Sequence, residues 1–79
     1  MEQIIINIIT KYSVSKDIDL NSRFSDVGVD WLSTFMILLE CEKTFNIYIE
    51  QTDIEFGKVS DFVDFIKSKL LNKNIDKMN

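Results

Sequence analysis

The sequence predicts an all-α fold, a small helical bundle within one domain. Three segments carry apolar residues at helical spacing, namely residues 2–12, 31–45 and 60–70. Residues 46–49 alternate weakly like a strand, but a lone short strand has no partner, so we expect a loop there. A chain of 79 residues is the size of one domain with a core that is only just sufficient.

The first helix is predicted over residues 2–12, where apolar residues follow the spacing i, i+3, i+4, i+7. That face consists of Ile5, Ile8, Ile9 and Tyr12. Residues 13–29 are polar and are predicted to form a long loop, which four apolar residues pin to the core. These anchors are Ile18, Leu20, Phe24 and Val27. Loops of this length are uncommon in compact domains and often carry function, which directs attention to the loop's far end.

The second helix is predicted from Trp31 to Phe45. Asp30 is a suitable N-cap whose carboxylate can accept from the amide of Ser33, and Asn46 is typical of a helix end. The helix has two apolar stripes: a core stripe of Ile37, Leu38, Cys41 and Phe45, and a second stripe of Trp31, Phe35 and Leu39. We expect the second stripe to be exposed for docking, although the long loop could instead fold across it.

The C-terminal part is predicted to hold a short helical turn over residues 52–56 and then a last helix capped by Ser60. The inner stripe of that helix is Phe62, Val63, Ile66 and Leu70. We assign residues 1–71 to the domain and predict that the tail, residues 72–79, frays.

Composition excludes several classes of function. The chain has no His, so imidazole catalysis and histidine metal sites are absent, and no nucleophile and base pair can be picked out for an enzyme. Residues 1–66 hold twelve acids against five cations, a net charge of −7, which disfavours nucleic acid and suits a basic protein partner. The single cysteine, Cys41, cannot form an internal disulfide and fits a reducing compartment. No run is long enough to span a bilayer, and Glu2 stands where a signal peptide would carry cations, so we expect a cytoplasmic monomer.

Three stretches in order resemble the acyl carrier proteins, the family that carries acyl groups on phosphopantetheine. Residues 26–32, DVGVDWL, are similar to the family's attachment site, and Phe24 and Gly28 lie where the family has its approaching turn. Residues 38–47 are similar to the end of the family's second helix, and residues 59–66 to its last helix. The resemblance covers nearly the whole chain. It implies an antiparallel bundle of three longer helices and one short one.

The departure from the family falls on the attachment residue itself. The family has a serine between the Asp and the Leu, and its hydroxyl receives 4'-phosphopantetheine through a phosphodiester. Here Asp30 and Leu32 flank Trp31, whose indole has an N–H donor and no hydroxyl, so we expect the cofactor to be absent. Ser33 lies about 200° further round the helix and is a poor substitute.

The resemblance also implies partners and an acyl cavity. The partners would be a phosphopantetheinyl transferase and acyl-transferring or condensing enzymes of fatty-acid, lipid or polyketide synthesis. Candidate docking residues are Trp31, Phe35, Met36, Leu39, Glu40 and Glu42. Candidate acyl-pocket residues are Ile5, Ile9, Ile37, Phe45, Ile47, Val63 and Ile66. A fully packed core is an equal alternative for the latter set, and no metal site is predicted.

Two interpretations therefore stay open. In the first, the chain is a carrier domain whose attachment serine has been replaced, which leaves it locked without its arm. In the second, it is a natural non-carrying relative that binds a partner through Trp31 and the second helix. Ser33 and Met36 stand where fatty-acid carriers usually have acids. The loss of these acids suggests that the docking surface has changed, which favours the second interpretation.

Overall fold

The computed structural model describes residues 1–50 and 56–78, with side chains as far as Asn72. Its helices are α1 (Glu2–Lys11), α2 (Trp31–Phe45) and α3 (Val59–Met78), and these residues contain no strand. The all-α prediction is confirmed, as is a loop at residues 46–49. The short helical turn predicted at residues 52–56 lies outside the described residues, apart from Phe56. The fourth helix and the antiparallel arrangement therefore stay predictions.

The core is formed by one face of each helix, as the periodicity predicts. The fully or nearly fully buried residues on these faces are Ile5, Ile8, Ile9, Ile37, Leu38, Cys41, Val59, Phe62, Val63 and Ile66. Tyr12, Phe45 and Leu70, which stand at the ends of the predicted stripes, are partly buried against this cluster. Burial of these faces removes apolar area from water and is the main force that holds the helices together.

The long loop between α1 and α2 is pinned as predicted and is also bonded to the start of α3. Phe24 and Val27 are buried, and Ile18 and Leu20 pack partly buried against the core. The backbone N–H of Phe24 donates to the Gly57 carbonyl at 3.0 Å. The N–H groups of Val59 and Ser60 donate back to the carbonyls of Ser22 and Leu20, at 2.8 and 3.0 Å. These bonds fix the loop's far end, where α2 begins.

The predicted cap of α3 is wrong, because the helix begins at Val59 and Ser60 is its second residue. Backbone carbonyls of the long loop accept from the first amides of α3, so no serine cap is needed there. Asp61 makes a local contact at the same end of the helix: its carboxylate accepts from the backbone N–H of Lys58 at 3.2 Å. At the other end α3 continues to Met78, and the fraying of residues 72–79 stays a prediction. The domain boundary at residue 71 stays a prediction.

Candidate functional site

The site begins at the turn before α2, where Gly28 has a positive φ of 76°. A Cβ at this position would lie 2.5 Å from Cγ2 and 2.8 Å from Cβ of Val14. Val14 cannot easily move away from Gly28, because the backbone N–H of Val14 donates to the carbonyl of Val27 at 2.8 Å. Glycine is therefore required both by the backbone angle and by the close approach of the loop's first residues.

Asp30 caps α2, as predicted. Its Oδ1 accepts from the backbone N–H of Ser33 at 2.8 Å, and its own carbonyl accepts from both the N–H and the hydroxyl of Thr34 at 2.9 Å. The hydrogen bond from Ser33 lowers the pKa of the Asp30 carboxyl below its ordinary value, so the cap is ionised at neutral pH. Thr34 is buried, and its role at the cap was not predicted from the sequence. A threonine four residues after a cap position is the pattern that could have shown it.

Trp31 occupies the first position of α2 and is 64% exposed. Its ring stacks against Phe35 one turn later, with centroids 6.2 Å apart and planes 22° apart. The loop therefore does not cover this end of the second stripe. The exposed atom that can form a hydrogen bond is an indole N–H, and no oxygen nucleophile is present at this position.

The other predicted docking residues of α2 lie around Trp31 with different degrees of burial. Met36 is exposed, whereas Phe35 and Leu39 are half-buried. Leu32, which was predicted to flank the attachment position and not to dock, is 58% exposed. Ser33 is half-buried in the first turn, and its amide is committed to the Asp30 cap. An apolar surface, defined here as Trp31, Leu32 and Met36, thus faces solvent at the start of the helix. Docking through the predicted set, of which Trp31 and Met36 belong to this surface, stays a prediction.

The two predicted acidic docking residues both make internal bonds. Glu40 accepts from Lys11 Nζ at 2.6 Å and from the Tyr12 hydroxyl at 2.8 Å, so it joins α2 to the end of α1. These two donors lower the pKa of Glu40, and the same contacts raise the pKa values of Lys11 and Tyr12. Glu42 accepts from the backbone N–H of Ile49 at 2.8 Å and so holds the loop after α2. Both glutamates therefore make contacts within the chain. Asp30 is the acid next to Trp31 in the sequence.

An open pocket of about 490 Å³ lies beside Trp31. Its lining residues are Phe24, Ser25, Val29, Asp30, Trp31, Thr34, Phe56 and Gly57. The long loop and the segment before α3 converge here because of the backbone bonds between them. Phe24, Asp30 and Trp31 are identifiable from the sequence, whereas Phe56 and Gly57 are not, since only folding brings the segment before α3 to this site.

The predicted acyl-pocket residues lie elsewhere. Ile5, Ile9, Ile37, Val63 and Ile66 are fully buried in the core, while Phe45 and Ile47 are partly buried. None of them borders the pocket beside Trp31. Five of these seven residues are thus part of the buried core, and a role of the set in holding an acyl chain stays a prediction.

Residues 1–50 and 56–78 contain neither a cluster of metal ligands nor a membrane-spanning helix. No group of His, Cys, Asp and Glu side chains in that part of the chain is placed to hold a metal ion. None of the helices within those residues is long and apolar enough to cross a membrane.

Comparison with known proteins gives several relatives that are named acyl carrier protein. The chain is 38% identical over 71 residues to "Acyl carrier protein" of Rickettsia bellii (strain RML369-C), covering 85% of this chain and 83% of the relative. The protein of that name from Chlorobium phaeovibrioides is 38% identical over 65 residues, with 78% and 83% covered. The one from Phytoplasma australiense is 38% identical over 58 residues, with 71% and 76% covered. No family model and no solved structure matches the chain.

Proposed function

Since this chain belongs to the acyl carrier protein family, whose members are carriers and not enzymes, we propose that it is a carrier scaffold locked without its phosphopantetheine arm. The observation that carries the proposal is Trp31, an exposed indole at the position where the resemblance places the attachment serine. An indole offers no hydroxyl for a phosphodiester. The family cofactor therefore does not fit the residue present at this site.

The surroundings of Trp31 favour a carrier scaffold in other respects. The Gly28 turn and the Asp30 cap hold the start of α2, and Leu32 is exposed next to Trp31. A side chain at position 31 thus stands in solvent, where a modifying enzyme can reach it. With serine at this position, the same backbone would present a hydroxyl beside Asp30 and Leu32.

Loading of a serine variant tests the proposal. The intact chain, Trp31→Ser and the double variant Trp31→Ser/Ser33→Ala are each incubated with a phosphopantetheinyl transferase and coenzyme A, and whole-protein masses are recorded. We expect both variants to gain one phosphopantetheinyl mass and the intact chain to gain none. Loading of the intact chain, or failure of a folded Trp31→Ser variant to be loaded, would contradict the proposal. The double variant excludes Ser33 as the modified residue.

A second candidate function is supported by the apolar surface of Trp31, Leu32 and Met36. A chain that carries no arm can still bind a partner, and tryptophan is enriched among residues that dominate interface energies. Partners of the family would include acyl-transferring or condensing enzymes. In this alternative the chain is a binding or regulatory module, and Trp31→Ala should abolish recovery of its partner in a pulldown, whereas Val14→Ala, at an exposed position in the long loop, should not.

A further inference from the structure

We propose that this chain associates with a second copy of itself, with the C-terminal end of α3 from each copy lying in a groove of the other. The groove lies between α1 and the long loop and has a volume of about 490 Å³. It has no described lining residue in common with the pocket beside Trp31. The inference is independent of both candidate functions and departs from the monomer expected from the sequence.

The groove combines an apolar surface with exposed acids. Its half-buried apolar lining residues are Ile6, Ile18 and Leu20. Of its two acids, Glu2 is paired with Lys67 at 2.6 Å, so that cation offsets its charge. Asp19 Oδ1 accepts from the backbone N–H of Asn21 at 2.9 Å, which holds the other carboxylate in place at the groove. The groove therefore suits an apolar side chain that has cations beside it.

The C-terminal end of α3 has the complementary properties. The helix continues to Met78, eight residues beyond Leu70, which is the last residue of its inner stripe. Leu71 is 61% exposed. In the sequence, Ile75 and Met78 follow Leu71 by four and seven residues, the spacing of one helix face. This end of the chain thus offers an apolar stripe that differs from the stripe facing the core.

Charge favours a second copy over other occupants. Residues 67–79 hold four lysines against one aspartate, a net charge of +3, whereas residues 1–66 carry −7. Opposite charges on two surfaces align them and speed their encounter, and this chain supplies both signs. An anionic membrane surface would attract the same lysines but would repel the acidic body.

The groove and the end of α3 are neighbours on the same molecule. Glu2 lines the groove and bonds Lys67, and Leu71 follows Lys67 by about one helical turn. In a two-fold dimer each copy presents the same surface to the other. Two complementary patches that lie side by side can then be matched at once, so the complex closes as a dimer instead of growing into a filament.

Sedimentation velocity of the full chain over a concentration series tests the self-association. We expect a monomer–dimer equilibrium at low ionic strength, with a Kd that rises at least about tenfold at high ionic strength because salt screens the charges. A dimer that is insensitive to salt, or a monomer at every concentration, would overturn the proposal.

Reversing the charges locates the contact. Asp19→Lys reverses the groove, and the double variant Lys73→Glu/Lys77→Glu reverses the end of α3. Each variant alone should stay monomeric, whereas an equimolar mixture should form a heterodimer, because both contacts again join opposite charges. Asp17→Lys, at an exposed acid of the same loop outside the groove lining, is the matched control and should dimerise like the intact chain.

Gln3→Lys adds a cation to the α1 side of the groove and leaves the turn at Asp19 intact, so it serves as a second groove variant. Folded variants whose mixture fails to associate would contradict the proposed contact.

NMR signals of ¹⁵N-labelled chain distinguish the surfaces involved. The amide signals of Ile18 and Leu20 should shift with concentration, and the indole signal of Trp31, the one tryptophan, should not. Concentration-dependent shifts at Trp31 instead would assign self-association to the apolar surface and overturn the groove. Binding of the intact chain to phosphatidylglycerol vesicles, lost in Lys73→Glu/Lys77→Glu and without self-association, would assign the end of α3 to a lipid surface.

Discussion

Trp31 and Phe35 stack on the surface of α2, with ring centroids 6.2 Å apart. Because Trp31 is mostly exposed, the indole contributes to stability mainly through this pair. We expect Trp31→Ser to lower the free energy of unfolding by at most about 1.5 kcal/mol, the usual worth of an aromatic pair. Urea titration measures the change. Ile37→Ala, in the fully buried stripe of the same helix, is the control and should cost about 2–5 kcal/mol. Equal losses would show that Trp31 is a core residue.

The turn before α2 should tolerate no side chain at Gly28. Gly28→Ala would strain a residue with φ of 76° and place its Cβ 2.5 Å from Val14 Cγ2. We expect a loss of about 1–3 kcal/mol in the free energy of unfolding. Gly57→Ala is a matched control, because its nearest contact would be Arg23 Nη2 at 3.4 Å and no positive φ is involved. That variant should stay within about 0.5 kcal/mol of the intact chain in the same urea titration.

The cap of α2 should depend on an oxygen acceptor at position 30. Asp30→Ala removes the acceptor for the Ser33 amide and should lower the thermal midpoint, whereas Asp30→Asn should retain most of it. The pKa of Asp30 is lowered in the fold, so its contribution is present above the ordinary aspartate value and is lost as pH falls through the lowered one. Circular dichroism melts at neutral and acid pH measure both effects. A midpoint for Asp30→Ala equal to that of the intact chain would contradict the cap's role.

The sequence predicted the helices well because their apolar periodicity and the Asp30 cap are local features. Burial of Ile5, Ile37 and Phe62 follows directly from that periodicity. The start of α3 could not be predicted in the same way. Its first amides are bonded to the carbonyls of Leu20 and Ser22, which lie far away in the chain.

The site was predictable in part for the same reason. The family resemblance and the replacement at Trp31 can be read from adjacent residues. The pocket beside Trp31 is assembled from the long loop, α2 and the segment before α3, so its lining depends on tertiary structure. Glu40 and Glu42 look like free surface acids in the sequence, and only the fold reveals their bonds to Lys11, Tyr12 and Ile49.

The contact between Lys11 and Glu40 should add a small, pH-dependent stability. Glu40→Gln keeps an acceptor for Tyr12 but removes the ion pair, and we expect only a small loss of stability at neutral pH because the pair is largely exposed to solvent. The pKa of Glu40 is lowered, so the difference should fade as pH falls from about 4.5 through the lowered value. The pKa of Lys11 is raised, so the difference should also fade as pH rises above 10.5 through the raised value.

Urea titrations of the intact chain and Glu40→Gln across this pH range measure that difference. Tyr12→Phe is the control, since it removes the hydroxyl and leaves the ion pair in place. A difference between the intact chain and Glu40→Gln that persists at acid pH would show that the ion pair is not its origin.

Cys41 should be unreactive in the folded chain. The thiol is fully buried in the core stripe of α2, and burial raises its pKa to about 12, so almost no thiolate is present at neutral pH. We expect an aromatic disulfide reagent to modify the intact chain only as fast as it unfolds, and to modify one thiol at once in urea. Val14→Cys places a second thiol at a residue that is 83% exposed and should react immediately in the native state. Immediate modification of Cys41 in the intact folded chain would mean that α2 does not hold this side chain in the core.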